Sequence, residues 1–308
     1  MQRAQKYVES QKKNAWFPND IASADELQNR QVREINMLNP VKETVLGLGL
    51  ALGLVAGTAM AVEAEGVADE GVSLSSGTCA GLPSHSQLKN ALESARAQSN
   101  GGFNLDMWAT VVNRDGVVCG VAFTGDNRGS QWPGSRVISA QKANTANAFS
   151  LPGLALSTAN LYAAVQPGGS LYGLQHSNPV DTSVAYKGPA RDFGQANDPM
   201  EGHRIGGVNV FGGGLGLYNV KGVLIGGIGV SGDTSCADHN IAWRARHQLN
   251  LDFVPGGVSA NHDDNINYKG LVTVPSLQDD FSHPICKIAG VDGVSNISAN
   301  LPPIQKVH

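Results

Sequence analysis

The sequence has 308 residues, of which 41% are hydrophobic and 16% charged, a balance that predicts a globular protein and excludes a disordered chain. Its 22 basic and 26 acidic side chains give a net charge of −4, which excludes a nucleic-acid-binding protein that relies on a basic surface. Glycine is abundant, at 38 residues, and is concentrated in one segment.

The N-terminal region has the features of an export signal. Residues 44–62 carry no charge and end in Ala59-Met60-Ala61, so we expect residues 37–61 to be a signal peptide and the mature protein to be periplasmic or secreted. A membrane anchor is the alternative, because this uncharged run of 19 residues approaches the roughly 20 that span a bilayer. Residues 1–36 precede a normal signal start at Met37 and are expected to be a non-native or unstructured extension.

The first elements predicted after the signal are a helix and a β-hairpin, preceded by a flexible lead-in over residues 62–81. Ser84 and Gln87 have the spacing of a capping box, and apolar residues then recur at helical spacing, which predicts a helix that ends near Ser99. Alternating apolar residues on both sides of the turn sequence NRDG at residues 113–116 predict the hairpin.

The rest of the chain is predicted to contain two more helices and a second hairpin. A short polar helix is expected over residues 139–149, followed by a loop-rich insertion over residues 151–206. The second hairpin lies in residues 206–232, and a helix over residues 236–248 follows it, with Ser235 and Asp238 spaced as another capping box. Residues 251–308 show no strong periodicity and are expected to wrap the surface.

The second hairpin is unusual because 11 of its 27 residues, 206–232, are glycines. Glycine weakens a strand, so a glycine stripe usually means that something packs directly on the backbone. A helix or a neighbouring subunit is one interpretation and a ligand is the other, and the sequence leaves both open. On the ligand interpretation, replacing Gly229 by valine is expected to block binding and to leave folding intact.

Several familiar sites are absent or unsupported. Residues 227–232 match the dinucleotide pattern G-x-G-x-x-G, but the preceding strand joins by a tight antiparallel turn and Asp233 stands where a pyrophosphate would lie, so we predict no NAD site. The eight histidines lack metal-ligand spacing, so no zinc site is predicted. The nucleophile pattern G-x-S-x-G does not occur.

The four cysteines favour disulfides, because their number is even, no CxxC pair exists and the chain is expected to be exported. Four cysteines allow three pairings, and spacing does not choose among them. A bridge between Cys236 and Cys286 is our hypothesis, because it would attach the C-terminal tail to the last predicted helix.

Three stretches together resemble a known family. They are VVNRDGVV in the first hairpin, SAQKANTANAF at residues 139–149, and IGGIGVSGDTSCADHNIA at residues 225–242. With the first helix, they make residues 82–250 resemble the GlcG/HbpS-like haem-binding proteins, in an exported proteobacterial subgroup. The resemblance implies an α/β fold with one antiparallel sheet of about five strands flanked by helices, a homo-oligomer, and non-covalent haem in some members.

The candidate site combines this resemblance with the chemistry of the residues. The resemblance places Lys142 and Thr145 in the segment linked to ligand binding, and it places Asp233 and Asp238 beside the glycine-rich strand. A cation such as Arg136 or Arg204 suits the propionates of haem, and His239 shares a helix face with Trp243 and Arg246. The predicted ligand-binding residues are Arg136, Lys142, Thr145, Gly227, Gly229, Asp233, Asp238 and His239.

Three functions are compatible with these features. The first is an exported haem-binding protein that sequesters or senses haem, with no iron ligand assigned. The second is an enzyme acting on a small oxygenated organic acid, bound as a carboxylate in the glycine-rich pocket. The third is an oligomeric structural module without a ligand.

Overall fold

The computed structural model describes residues 78–268, 280–286 and 294–307. The predicted signal peptide, the extension before it and most of the lead-in lie outside these residues. Among the helices in the described part of the chain, none has the length and apolar character needed to cross a membrane.

The described part of the chain contains α-helices, two pairs of consecutive antiparallel strands and two short 3₁₀ turns. In chain order the helices are α1 (His85–Arg96), α2 (Ser135–Phe149), α3 (Leu161–Ala164), α4 (Leu174–Ser177), α5 (Thr182–Ala185), α6 (Ser235–Gln248) and α7 (Val294–Ala299). The strands are β1 (Trp108–Asn113), β2 (Val118–Phe123), β3 (Gly214–Tyr218) and β4 (Leu224–Ser231). Short 3₁₀ turns cover Arg128–Ser130 and Ala190–Asp192.

The strands form one antiparallel sheet in the order β2-β1-β4-β3. The two predicted hairpins are therefore present, and they join through β1 and β4, where Thr110 pairs with Gly229 and Val112 with Gly227. Four strands flanked by helices agree with the antiparallel α/β architecture of about five strands that the sequence predicted.

The two faces of the sheet have different cores. Helices α1 and α6 cover one face, where Ile228 and Val230 of β4 contact the apolar residues of both helices. Helix α2 and the insertion cover the other face, where Trp108 and Val112 of β1 pack beneath Met200 and Ile205. This three-layer arrangement follows from the alternation of side chains along each strand.

Four glycines of the second hairpin lie on the face of the sheet that α2 covers. Gly214 pairs with Gly229 and Gly216 with Gly227, so four glycines form a patch without side chains across β3 and β4. A Cβ atom added at Gly227 would lie 2.4 Å from the Ala143 carbonyl oxygen. The helix interpretation is thus correct, and the sequence-based expectation that a ligand lies on Gly227 and Gly229 is wrong, because the α2 backbone occupies that space.

Two helix starts differ from those expected. Helix α2 begins at Ser135, four residues earlier than predicted, and α6 begins at Ser235 after the N-cap residue Thr234. The capping box predicted for Ser235 and Asp238 is wrong. The Ser235 hydroxyl makes a hydrogen bond with His283, and the Asp238 carboxylate accepts hydrogen bonds from Lys142 and from the Asp233 N–H. The capping box at Ser84 is present.

Disulfide bonds join Cys79 to Cys119 and Cys236 to Cys286, with Cα–Cα distances of 5.7 and 6.2 Å. The hypothesis for Cys236 and Cys286 is confirmed, and the bridge attaches the tail to the first turn of α6. The tail also reaches the interior: Asp264, fully buried, accepts two hydrogen bonds from the Arg246 guanidinium.

Candidate functional site

A cavity of about 250 Å³ lies at the N-terminal end of α6, where α6 meets α2 and the end of β4. Its lining residues are Trp132, Gly134, Ser135, Ile138, Lys142, Phe211, Ser231, Asp233, Ser235 and Asp238. A larger opening of about 350 Å³ shares Asp233 with it but is lined mainly by polar residues and glycines of residues 96–105. The smaller cavity is therefore the better candidate for a ligand with apolar surface.

The glycine patch explains why a lysine lies at the base of this cavity. Because β3 and β4 carry no side chains beneath α2, the helix approaches the sheet closely, and Lys142 extends along it towards the last residues of β4. Its Nζ donates hydrogen bonds to the Val230 carbonyl oxygen, at 3.1 Å, and to the Asp238 carboxylate, at 2.7 Å. Both charged side chains are almost completely buried.

Burial dominates the electrostatics of this pair. It lowers the pKa of Lys142, an effect that the nearby Asp238 carboxylate opposes. It raises the pKa of Asp238 to about 7, opposed by the Lys142 ammonium. Burial therefore acts against the charge on both groups, and the attraction between them opposes that effect.

The neighbouring Asp233 has a mainly structural role. Its carboxylate accepts hydrogen bonds from the backbone N–H groups of Phe103, at 2.9 Å, and of Leu105, at 3.1 Å. These bonds fix the segment before β1 against the start of α6. That segment carries Phe103, whose ring packs edge-on against Trp132 at a centroid distance of 6.5 Å.

The rim of the cavity is aromatic and exposed. Phe103 and Trp132 are each 53% exposed and Phe211 is 46% exposed. Large apolar side chains at the mouth of a cavity are a frequent feature of binding sites. We use the term aromatic rim for these three residues.

The comparisons with known proteins place this site within a family. The family model described as "Haem degrading protein HbpS-like" matches residues 84–247, just over half of the chain. The chain belongs to the HbpS-like family. The resemblance deduced from the sequence is therefore confirmed, and the matched residues contain the whole lining of the cavity. No curated protein matches the chain.

Three solved structures are similar to parts of this HbpS-like chain. A PduOC:haem complex is 25% identical, over 54% of this chain and 91% of that one, with a TM-score of 0.38. The Klebsiella pneumoniae protein ORFY is 26% identical, over 53% and 86%, with a TM-score of 0.37. A structure of HbpS is 16% identical, over 53% and 84%, with a TM-score of 0.33.

Of the predicted ligand-binding residues in this HbpS-like protein, Lys142, Asp233 and Asp238 lie together at the cavity. The expectation that Arg136 binds a ligand is wrong. Its buried guanidinium makes a bidentate ion pair with Asp198 and donates a hydrogen bond to the Ala185 carbonyl oxygen. It also lies 3.6 Å from the centroid of the Phe193 ring. These contacts connect the insertion to α2, and they leave the buried Arg136 guanidinium unavailable to a haem propionate. Arg204 is exposed and donates to the Asp115 carbonyl oxygen.

Two further predicted residues lie outside the lining. The Thr145 hydroxyl donates to the Gln141 carbonyl oxygen and accepts from the Asn209 N–H, so it joins α2 to the insertion. His239 is fully buried on α6, and neither of its ring nitrogens makes a well-formed hydrogen bond among the described residues. Burial, with a smaller effect of Arg246, lowers the pKa of His239 to about 3, while the Asn265 side chain raises it slightly. Its imidazole is therefore neutral.

The sequence did not identify the other seven lining residues as site residues; they are Trp132, Gly134, Ser135, Ile138, Phe211, Ser231 and Ser235. Trp132 and Phe211 stand in glycine-containing loop segments of the sequence, where a large aromatic side chain has no predicted core to enter. A large aromatic residue in such a loop was therefore the sequence feature that could have indicated a binding site. Ser235 carries no such signal, because its partner histidine lies 48 residues later.

Proposed function

We propose that this HbpS-like protein is an exported haem-binding protein, and that haem binds as cargo at the cavity and its aromatic rim. The observation that carries the proposal is the position of an apolar, aromatic-rimmed cavity inside the region that matches a haem-related family. Sequestration and sensing are both compatible with such a site. Two disulfides support export, since they persist in oxidising compartments.

The cavity fits part of a macrocycle. A volume of about 250 Å³ is below the roughly 300–1,000 Å³ of pockets that enclose a drug-sized ligand, so an edge of the ring enters and the remainder lies against the aromatic rim. Trp132, Ile138 and Phe211 supply apolar contact. The lining holds no His, Cys, Met or Tyr, the usual protein ligands of haem iron, so we propose binding through the ring and its carboxylates.

The polar groups of the cavity suit a carboxylate at its base. The hydroxyls of Ser135, Ser231 and Ser235 line it, and the N-terminus of α6 favours a negative charge. Lys142 supplies the cation, and its ammonium is paired with the Asp238 carboxylate. Assembly into a homo-oligomer, which the family resemblance implies, is part of the proposal.

A small oxygenated organic acid is the second candidate ligand. The observation that favours it is the size of the cavity together with the buried Lys142–Asp238 pair, which can bind a carboxylate and move a proton. On this proposal the protein is an enzyme and the aromatic rim contributes little to affinity.

The test is a titration of the purified protein with haemin, followed by the Soret absorbance. We expect a shifted band that saturates at one haem per subunit. Replacing Trp132 by alanine is expected to weaken binding about ten-fold, because it removes a large aromatic contact. Tyr172→Ala is the matched control, since Tyr172 is 66% exposed and outside the lining.

Three outcomes are informative. Equal affinity of W132A and the wild type would place haem elsewhere. Equal weakening in W132A and Y172A would indicate non-specific adsorption. Without a saturating shift the haem proposal fails, and calorimetry with glycolate, comparing the wild type with K142M, then tests the second candidate.

A further inference from the structure

Ser235 and His283 form a hydrogen-bonded pair at the edge of the cavity. The Ser235 Oγ lies 2.8 Å from His283 Nε2, and Ser235 belongs to the cavity lining while His283 is buried behind it. A serine within hydrogen-bond reach of a histidine is the arrangement that activates a hydroxyl as a nucleophile, provided that a third group orients the histidine. The surroundings of His283 supply that group.

The backbone holds His283 in the tautomer that a base requires. Its Nδ1 lies 2.6 Å from the Pro284 carbonyl oxygen, which can only accept, so Nδ1 carries the proton and Nε2 is left as the acceptor for the Ser235 hydroxyl. Burial lowers the pKa of His283, which keeps the imidazole neutral near pH 7. The rings of Tyr162 and Tyr268 pack around it, at centroid distances of 5.1 and 6.5 Å.

The serine is equally well placed. Its Oγ also accepts a hydrogen bond from the Gly212 N–H at 2.7 Å, so its remaining proton points to His283. Ser235 opens α6, and the N–H groups of the first turn of a helix have no acceptor within that helix. On the proposal below, donors for an oxyanion would come from this turn.

A covalent bond joins the two segments that carry the pair. Cys236 follows Ser235 directly, and its disulfide partner Cys286 lies three residues after His283. The bridge therefore fixes the tail segment against the start of α6, where a shift of about 1 Å would be costly to catalysis.

From this geometry we propose that Ser235 and His283 are the nucleophile and base of a hydrolase for small carboxylic esters. His283 Nε2 takes the hydroxyl proton as Ser235 Oγ attacks the ester carbonyl carbon. The bond to the alcohol oxygen breaks, and His283 returns the proton to the departing alcohol. Water then attacks the acyl-serine and gives a proton to His283, and His283 returns that proton to Ser235 Oγ as the carboxylic acid leaves.

The cavity limits the substrate to a short ester. Its volume of about 250 Å³ and its apolar walls at Trp132, Ile138 and Phe211 accept a short acyl chain with a compact leaving group. This activity does not depend on haem, so its failure and that of the haem proposal are separate results.

Hydrolysis of p-nitrophenyl acetate by the full chain is the first test. We expect S235A and H283A each to lower kcat/KM by roughly 10²–10⁴-fold, the usual contribution of a general base. Ser86→Ala is the matched control, because Ser86 also stands in the first turn of a helix but is exposed and lies outside the lining of the cavity. Equal rates for S235A, S86A and the wild type would overturn the proposal.

Labelling of the unaltered protein with a fluorophosphonate is the second test, and it holds even if S235A does not fold. We expect one adduct per chain, mapped by peptide mass spectrometry to Ser235, and none in H283A. An adduct at another residue, or no adduct, would overturn the proposal.

Discussion

Replacing Gly229 by valine is expected to unfold the protein or to destabilise it by more than about 4 kcal/mol. A Cβ atom at this position would lie 1.9 Å from the Ser139 carbonyl oxygen and 2.4 Å from the Ala143 nitrogen. Both are backbone atoms of α2, so relief requires the whole helix to move off the sheet. Urea unfolding followed by circular dichroism measures the effect.

Gly120→Ala is the control for this substitution. Gly120 lies in β2 of the same sheet, and an added Cβ would meet only the Leu88 Cδ2 atom, at the ordinary contact distance of 3.6 Å. We expect its stability to change by less than about 1 kcal/mol. A G229V protein as stable as G120A would contradict the assignment of the glycine patch to α2, and would restore the sequence-based expectation that Gly229→Val leaves the fold intact.

Replacing Lys142 by methionine is expected to cost about 3–5 kcal/mol at pH 8, because it leaves the Asp238 carboxylate buried without its cation. The double variant K142M/D238N is expected to recover part of that loss, since the asparagine is neutral and still accepts from the Asp233 N–H. Urea unfolding of both variants measures the difference. Lys89→Met is the control, because Lys89 and its partner Glu93 are exposed.

The same variant should depend on pH in a defined direction. Burial raises the pKa of Asp238, so the destabilising charge is present above that pKa and absent below the value of about 3.9 in the unfolded chain. The deficit of K142M relative to the wild type should therefore shrink as the pH falls from 8 towards 4. A deficit that is constant across this range, or absent at pH 8, would contradict a buried charge pair.

The sequence predicted those features that depend on neighbouring residues. The capping box at Ser84 and the turn at residues 113–116 are local patterns, and both elements are present in the structure. Lys142 and Asp238 lie 96 residues apart, and only the family resemblance placed them in the two segments that meet at the cavity. Their ion pair itself was not predicted.

The remainder depends on partners that no local pattern identifies. Arg136 pairs with Asp198, which lies 62 residues later in the insertion, so its availability for a propionate was not deducible from α2 alone. The glycine-rich sequence is compatible with either a packed helix or a bound ligand, and only the position of α2 in the structure decides between the two. His283 is brought to Ser235 by the tail, whose sequence has no strong periodicity.

The most direct test of the binding site is a crystal structure of the protein grown with haemin. We expect one edge of the macrocycle in the cavity, with ring atoms within about 4 Å of the Trp132 and Phe211 side chains, and a propionate directed towards Lys142. Haem bound at another surface, with Trp132 and Phe211 free of it, would contradict the proposed site.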